Sequence, residues 1–279
     1  MNVRTEDVAD GVRRIIMNRP QKANAQNNAL LYELDREFKI ATRDDKVRVI
    51  ILAAEGKHFS SGHDLTEFNP SLSDVETVGM WGGFTLPAQE GYMAYEEEAY
   101  FGLCWRWRNI PKPVIAEVQG RVIAGGLMLA WVCDLIVAAD NATFTDPVVT
   151  AGVNGVEYFA HPWEVGVRKA KEMLFTGRGL TAQAAERAGM VNRVVPLDML
   201  AQETLDLARE IASMPTMGTK LAKLSVNAAQ DEQGYYNSLR AAMGWQHVAH
   251  AQQWALHGTY ANPTHGDAMR ETLRRPPLP

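Results

Sequence analysis

The chain of 279 residues is 46% hydrophobic, which is enough to bury one large core, and its formal net charge is -5. No run of lysines or arginines stands out, so composition argues against nucleic acid as a partner, although small anionic ligands need only local positive charge. No stretch approaches the roughly 18 apolar residues of a membrane span and no apolar signal segment opens the sequence, so we expect a soluble cytoplasmic protein.

Strands and helices alternate through the first part of the chain. Residues 12–18 and 47–54 are apolar, β-branched runs that predict strands. Between them, apolar side chains recur every four residues over 27–42, which predicts an amphipathic helix. Residues 69–89 are rich in Ser, Gly and Pro and predict an irregular or mobile insert, whereas 92–109 predict a helix.

A second pair of strands encloses a short apolar helix. Residues 113–120 and 134–140 predict strands, and the glycine pair Gly125 and Gly126 opens a buried helix between them. Because strands joined through helices pair in parallel, this alternation predicts βαβ units and a largely parallel sheet.

Beyond Pro147 the sequence is mostly helical. Helices are predicted over residues 164–177, 181–189, 198–213, 217–229 and 233–256. Thr181 is the expected N-cap of the second of these, and Gly189 its C-terminal stop. A helical C-terminal third of this kind often packs on a neighbouring subunit.

Two cysteines, Cys104 and Cys133, lie in apolar surroundings without the spacing of metal ligands. We expect both to be thiols buried in a reducing compartment, with no metal site.

Four segments occur in an informative order: NRPQKANA (18–25), FSSGHDL (59–65), KPVIAEVQGRVIAGGLMLAWVCDLIVAADNATFTDP (112–147) and EMLFTGRGLTAQAAERAGMVNRVVP (172–196). Together they resemble the crotonase, or enoyl-CoA hydratase/isomerase, superfamily over residues 13–196. The resemblance implies an α/β fold, a crotonase-like ββα superhelix with two roughly perpendicular sheets and a helical C-terminal trimerisation region. It divides the chain into a core domain at 1–196 and a helical region at 197–279, and it implies a homotrimer or hexamer.

The resemblance also implies a chemistry, the stabilisation of an enolate at the carbonyl oxygen of an acyl-CoA thioester. By position, the two backbone N–H groups that bind this oxygen are those of His63 and Gly125. A helix N-terminus offers unpaired N–H donors to an anion, and glycine lets a thioester approach the backbone closely. The glycine pair alone would be explained by close helix–strand packing, but the FSSGHD segment upstream favours the oxyanion hole.

Hydratases of this family carry two glutamates beside the reacting carbons, and this sequence has Met128 and Val148 at those positions. Adding water across a C=C bond needs a base and an acid, which neither residue supplies. The resemblance therefore implies binding of an acyl-CoA thioester, while these two positions argue against ordinary hydratase chemistry.

Three residues are candidate replacements. Asp146 could act on the substrate, or it could simply cap the turn that follows it. Glu157 could act if Tyr158 and Phe159 desolvate it and raise its pKa, although a surface glutamate is the alternative. The imidazole of His63 could serve as acid or base, or it could point away from the acyl group.

Coenzyme A is expected as part of the thioester substrate, with no separate cofactor. The expected contacts with it lie in the first two motifs and are Lys22, Ala23, Ala25, Ser61, Asp64 and Leu65. Asp64 is also expected to cap the following turn. Lys22 could meet a phosphate as a point charge, as could Arg168, Lys169 and Lys171, although a solvated surface is the alternative for all four.

Other patterns have ordinary structural explanations. The run Glu96–Glu98 predicts a solvated helix face, and His161 is expected to be structural. Core packing, or else the wall of a pocket for a bulky acyl group, is predicted for six aromatic residues: Trp81, Phe84, Tyr92, Tyr95, Trp105 and Trp107.

Two functions remain open at this point. The first is an acyl-CoA-processing lyase or isomerase of fatty acid metabolism, with isomerisation, hydrolysis or another enolate reaction favoured over hydration. The second is a non-catalytic acyl-CoA-binding protein, which the missing acid and base residues would explain.

Overall fold

Two sheets organise the fold in the computed structural model, which describes residues 1–67 and 71–279. The strands, numbered in chain order, are β1 (Val3–Ala9), β2 (Val12–Met17), β3 (Val49–Ala54), β4 (Val114–Val118), β5 (Arg121–Ile123), β6 (Leu135–Ala139), β7 (Thr143–Thr145), β8 (Leu180–Thr181) and β9 (Arg193–Val195).

The larger sheet has the order β1-β2-β3-β4-β6-β9. Only β1 and β2 pair antiparallel, and the remaining neighbours pair in parallel. The predicted parallel sheet with helical connections is therefore confirmed. In β3 the first five residues are buried, as expected for a strand with helices over both faces.

The smaller sheet has the order β5-β7-β8 and carries the short buried helix that follows β5. The backbone N–H of Ala124 donates to the carbonyl of Thr145 at 2.9 Å, so the end of β7 holds the turn between strand and helix. This sheet thereby fixes where the glycine pair begins its helix.

The helices, in chain order, are α1 (Asn28–Arg43), α2 (Ala88–Glu96), α3 (Leu103–Arg108), α4 (Gly125–Trp131), α5 (His161–Val165), α6 (Val167–Thr176), α7 (Ala182–Arg187), α8 (Leu200–Ser213), α9 (Thr216–Glu232), α10 (Tyr235–His257) and α11 (His265–Thr272). The predicted first helix and the three long C-terminal helices are confirmed to within a few residues. All residues of α4 are buried, as expected. Thr181 caps α7 by accepting from the N–H of Ala184, also as expected.

One predicted helix is divided. The helix predicted over 164–177 is broken at Gly166, whose φ of +74° separates α5 from α6. Glycine adopts this backbone conformation without a steric penalty, so the chain turns there.

The helix predicted over 92–109 contains an unforeseen π-helical segment. The chain runs from α2 through a π-helix at Glu97–Gly102 into α3. The prediction of a solvated face for Glu96–Glu98 is wrong, because all three glutamates are buried. Each has a partner: Glu96 faces His250, Glu97 binds Arg240, and Glu98 accepts from the backbone N–H groups of residues 78 and 79.

The insert predicted as irregular lacks helix and strand over residues 71–87, and its first two residues, 69 and 70, lie outside the described part of the chain. Cys104 is buried and Cys133 half-buried, and both thiols are free. Among the described residues, no helix is long and apolar enough to cross a membrane.

Candidate active site

The loop at Gln26 and the loop at Gly62–Asp64 pair edge to edge, and this pairing sets the direction of the backbone N–H of His63. The N–H of Gln26 donates to the carbonyl of Gly62 at 2.8 Å, and the N–H of Asp64 donates to the carbonyl of Gln26 at 2.9 Å. Because successive amides of an extended segment point to opposite sides, the N–H of His63 faces away from Gln26. Within the described residues this N–H has no hydrogen-bond partner.

The second amide belongs to Gly125, the first residue of α4. Ala124 before it has φ +47° and ψ −118°, a conformation that is costly for a residue with a side chain. The carbonyl of Ala124 accepts from the N–H of Leu127 at 2.8 Å, which locks the turn. The N–H of Gly125 also lacks a partner in the part of the chain that the structure describes.

Glycines let the two loops meet. A Cβ added to Gly62 would lie 2.8 Å from the carbonyl oxygen of Ile123 and 3.1 Å from the nitrogen of Gly125. A Cβ added to Gly125 would lie 2.6 Å from Cε1 and 2.9 Å from Nδ1 of His63. The imidazole of His63 therefore packs directly against the start of α4.

The structure joins two of the sequence candidates, His63 and Glu157. Nε2 of His63 lies 3.0 Å from Oε2 of Glu157, and both side chains are largely buried. The ring of His63 stacks on Tyr100 with 3.8 Å between centroids and 13° between planes. Nε2 of Gln246 donates to the other carboxylate oxygen of Glu157 at 3.1 Å. Both groups are thus held in one orientation.

The pKa of Glu157 moves in the direction opposite to the prediction. Burial works to raise it, as expected from its aromatic neighbours. His63, a backbone hydrogen bond and the charge of His250 together outweigh burial, and the pKa of Glu157 lies below its usual value. Glu157 is therefore an ionised carboxylate that accepts hydrogen bonds.

This ionisation determines which nitrogen of His63 carries the proton. A carboxylate only accepts, so neutral His63 bears its hydrogen on Nε2 and presents a lone pair at Nδ1. Nδ1 is buried and has no hydrogen-bond partner among the described residues. His63 thus carries an unpaired base beside the N–H of Gly125.

Asp146 is placed differently from the other candidates. Its carboxylate accepts from the N–H groups of Val148 and Val156, at 3.0 and 3.1 Å, and lies 2.8 Å from Nε2 of His161. Asp146 and His161 are fully buried. These bonds fix the segment that leads to Glu157, and the buried contact of His161 with Asp146 agrees with the expectation that His161 is structural.

The residues expected to contact coenzyme A lie in the paired loops. The N–H of Ser61 donates to the carbonyl of Ala23, and Lys22 and Leu65 are exposed. Asp64 caps the following turn, as expected, by accepting from the N–H of Thr66 at 3.0 Å. Its other oxygen binds the buried guanidinium of Arg19, whose own Nη1 donates to the carbonyl of Ala25.

The motifs in the sequence do not point to a second group of polar residues in the structure. Glu96 on α2 lies 3.5 Å from Nε2 of His250 and 3.6 Å from Nδ1 of His247, both on α10. A usable signal existed in the spacing, because Gln246 and His250 are four residues apart and share one helix face. Their burial depends on how α10 folds back over α2, which periodicity does not reveal.

A cavity of about 740 Å³ lies at the other end of α4. It is lined by Trp131, Glu164, Lys223 and Tyr235 among others, and not by His63 or Gly125. A cavity of about 280 Å³ is lined by Trp81 and Trp105 together with Phe101, so part of the predicted aromatic set lines a pocket. Trp107, in contrast, is core.

Comparison with known proteins agrees with this architecture. The sequence model of the family described as enoyl-CoA hydratase/isomerase matches residues 7–81 and 83–261. A Mycobacterium tuberculosis protein named as an enoyl-CoA hydratase, EchA13, is 43% identical over 257 residues, which are 89% of this chain and 80% of that protein. Two solved structures with enoyl-CoA hydratase names, from Mycobacterium thermoresistibile and Mycobacterium smegmatis, are each 45% identical to this chain. Their TM-scores are 0.86 and 0.84, and the alignments cover 94% and 93% of this chain and 100% and 99% of theirs. The chain belongs to the enoyl-CoA hydratase/isomerase family of the crotonase superfamily and has its α/β fold.

Proposed function

We propose that this chain is an acyl-CoA thioester-processing enzyme that binds an enolate oxygen between the amides of His63 and Gly125. In this proposal the His63–Glu157 pair moves the substrate proton. The observation that carries it is the 3.0 Å contact between Nε2 of His63 and Glu157, beside the start of α4. This contact leaves Nδ1 of His63 as the base.

The reaction begins with the thioester carbonyl oxygen accepting from the two unpaired amides. Nδ1 of His63 takes a proton from the α-carbon, and the electron pair of that C–H bond becomes an enolate whose charge rests on the thioester oxygen. The imidazolium that forms is stabilised by Glu157, as the carboxylate of a catalytic triad stabilises its histidine. Loss of one oxyanion donor typically costs about 2.7–4 kcal/mol of transition-state stabilisation.

Isomerisation suits this site better than hydration. One base that takes a proton from the α-carbon of a 3-enoyl thioester and returns it to the γ-carbon gives a 2-enoyl thioester without water. Hydration would require further groups to activate water, and the two family positions for such groups hold Met128 and Val148. The proposal therefore includes the replacement of the two hydratase glutamates of the family by Met128 and Val148 in this chain.

Asp146 acts in this proposal as a positioning residue, because its carboxylate oxygens hold Val148, Val156 and His161. Coenzyme A binds along the paired loops as part of the substrate, and the reaction uses no other cofactor.

We also propose a cytoplasmic homotrimer or hexamer. Support comes from α9, of which only Lys223 is buried, and from a row of exposed apolar residues on one face of that helix: Met217, Leu221 and Leu224. Exposed apolar rows of this kind commonly mark subunit contacts. Light scattering tests the proposal, which expects three or six chains of 30.9 kDa, whereas a monomer at micromolar concentration would contradict it.

A second candidate, a non-catalytic acyl-CoA-binding protein, is favoured by Met128 and Val148. Turnover and binding of a panel of 2-enoyl-, 3-enoyl- and aromatic acyl-CoAs separate the two. We expect turnover of a 3-enoyl thioester, lowered at least about 100-fold in His63→Gln and in Glu157→Gln. Glu117→Gln, which alters a mostly buried carboxylate paired with Arg14, is the matched control and should retain activity. Binding without turnover of any member supports the second candidate, and no binding refutes both.

A further inference from the structure

Helices α2 and α10 face one another through a row of polar side chains, called here the polar seam. On the α2 side it contains Tyr92 and Glu96, and on the α10 side Gln246, His247 and His250. Glu96, Gln246 and His250 are at most 4% exposed. Burying polar groups between two helices costs more free energy than burying apolar residues there, which points to a functional role for these groups.

A hydrogen bond to the backbone determines which ring nitrogen of His250 faces Glu96. Nδ1 of His250 lies 2.6 Å from the carbonyl oxygen of Tyr260, which only accepts, so Nδ1 carries a hydrogen. Nε2 then faces Glu96 at 3.5 Å. A bare imidazole nitrogen would repel a carboxylate, so one further proton must lie between Nε2 and Glu96.

The pKa shifts of Glu96, His250 and His247 are consistent with one proton shared between Glu96 and His250. Burial raises the pKa of Glu96, against the opposing effect of His250. Burial works to lower the pKa of His250, but the nearby Glu96 carboxylate, the carbonyl of Tyr260 and the charge of Glu157 together outweigh burial and raise that pKa. Burial and the charge of His250 lower the pKa of His247 to about 4, so His247 is neutral at pH 7.

The polar seam touches the catalytic pair through one residue. Gln246 lies one helical turn before His250 on the same face of α10, and its Nε2 donates to Oε1 of Glu157 at 3.1 Å. Other ionisable groups facing this region are Tyr92 and Tyr260, whose rings pack against His250, and Arg240, whose charge acts on His247. The charges of Glu96 and His250 act on Glu157 across this buried region.

We propose that Glu96 and His250 are a positioning pair that shares one proton and keeps the charge beside Glu157 at zero. Neither residue touches substrate; the pair acts by keeping Glu157 ionised, which keeps Nδ1 of His63 available as a base. This role rests on the proposed function of His63 and Glu157.

The adjacent pair Glu97–Arg240 offers a matched control. It joins the π-helical segment after α2 to α10, as Glu96–His250 joins α2 to α10, and Glu97 is equally buried. Arg240 lies over the ring of Phe101 and is partly exposed, so solvent screens the charge that loss of Glu97 would leave on it. Glu97→Gln therefore removes a buried link between these elements without a change beside the catalytic pair.

The test follows the titration of His63 by NMR in the full chain, with His63→Gln used to assign its resonance. His250→Gln removes the positive charge that helps to lower the pKa of Glu157, and we expect the His63 midpoint to rise by at least about 0.5 pH unit. Glu96→Gln leaves His250 without its anion, and the midpoint should fall. Glu97→Gln should leave it unchanged.

Shifts in the same direction for Glu96→Gln and His250→Gln, or a shift in Glu97→Gln as large as in those two, overturn the proposal in favour of simple helix packing. Absence of any shift also overturns it. Because the titration needs no substrate, a protein without turnover would refute the proposed function while the positioning pair is still tested.

Discussion

The imidazole ring of His63 packs against Gly125 at the start of α4. The sequence allowed the two amides to be placed, because each lies in a recognisable motif. It also allowed Glu157 to be named as a candidate. The 3.0 Å contact between residues 94 positions apart could not be predicted, since no local pattern encodes it.

The closeness of His63 to Gly125 gives a prediction for Gly125→Ala. An added Cβ would lie 2.6 Å from Cε1 of the imidazole, so the ring must leave Glu157. We expect at least a 100-fold loss of kcat/KM, about 2.7 kcal/mol, measured with a 3-enoyl-CoA.

Gly244→Ala is its control, because a Cβ there meets no atom within 4 Å among the described residues and Gly244 lies within α10. It should keep full activity and gain up to about 1 kcal/mol of stability. Equal activity of Gly125→Ala and the wild type would contradict the placement of the imidazole.

At the scale of elements, periodicity predicted most helices and strands but not the face that each one buries. The three consecutive glutamates at Glu96–Glu98 look like a solvated face in one dimension, and all are buried because α10 and the 71–87 segment pack over them. Strand β1 was missed because residues 5–7 in its middle are polar and exposed at the edge of the sheet. The π-helical segment leaves no periodic signal of its own.

The segment from 147 to 157 depends on one carboxylate–histidine pair, so Asp146→Asn should destabilise the fold. It removes the anion that binds His161 and two backbone N–H groups in a fully buried place. We expect a loss of about 3–5 kcal/mol in the free energy of unfolding, measured with urea.

Asp206→Asn removes an exposed carboxylate paired with Arg209 and should change stability by less than about 1 kcal/mol. If Asp146→Asn were as mild as this control, Asp146 would not organise the segment that carries Glu157.

At the scale of the whole molecule, the C-terminal region completes the candidate site. The sequence suggested a boundary at residue 196, and α10 beyond it supplies Gln246 to Glu157 and His250 to Glu96. Loss of this region would therefore disturb the candidate site. Which residues of a C-terminal helix turn inward depends on tertiary packing, so the sequence alone could not assign them.

The large cavity between α4, α5 and α9 gives a prediction for the pH dependence of stability. Burial raises the pKa of Glu164 to about 8. Its folded state binds a proton that the unfolded chain releases near pH 4.5, so its contribution to stability is present at low pH and is lost as the pH rises through about 8.

Glu164→Gln cannot ionise and should become more stable than the wild type above pH 8, with the difference vanishing towards pH 5. Thermal unfolding between pH 5 and 9.5 measures this difference. A difference in Tm that stays constant over the range would show that Glu164 is not protonated in the folded chain.

The central claim, that Nδ1 of His63 takes a proton from the α-carbon of a bound thioester, is tested most directly by hydrogen exchange. A 3-enoyl-CoA is incubated with the protein in D2O, and deuterium in the recovered thioesters is measured by mass spectrometry. The account predicts deuterium incorporation by the wild type and its loss in His63→Gln, with thioester binding retained. Incorporation at the same rate in His63→Gln, or none in a wild type that binds the thioester, would contradict it.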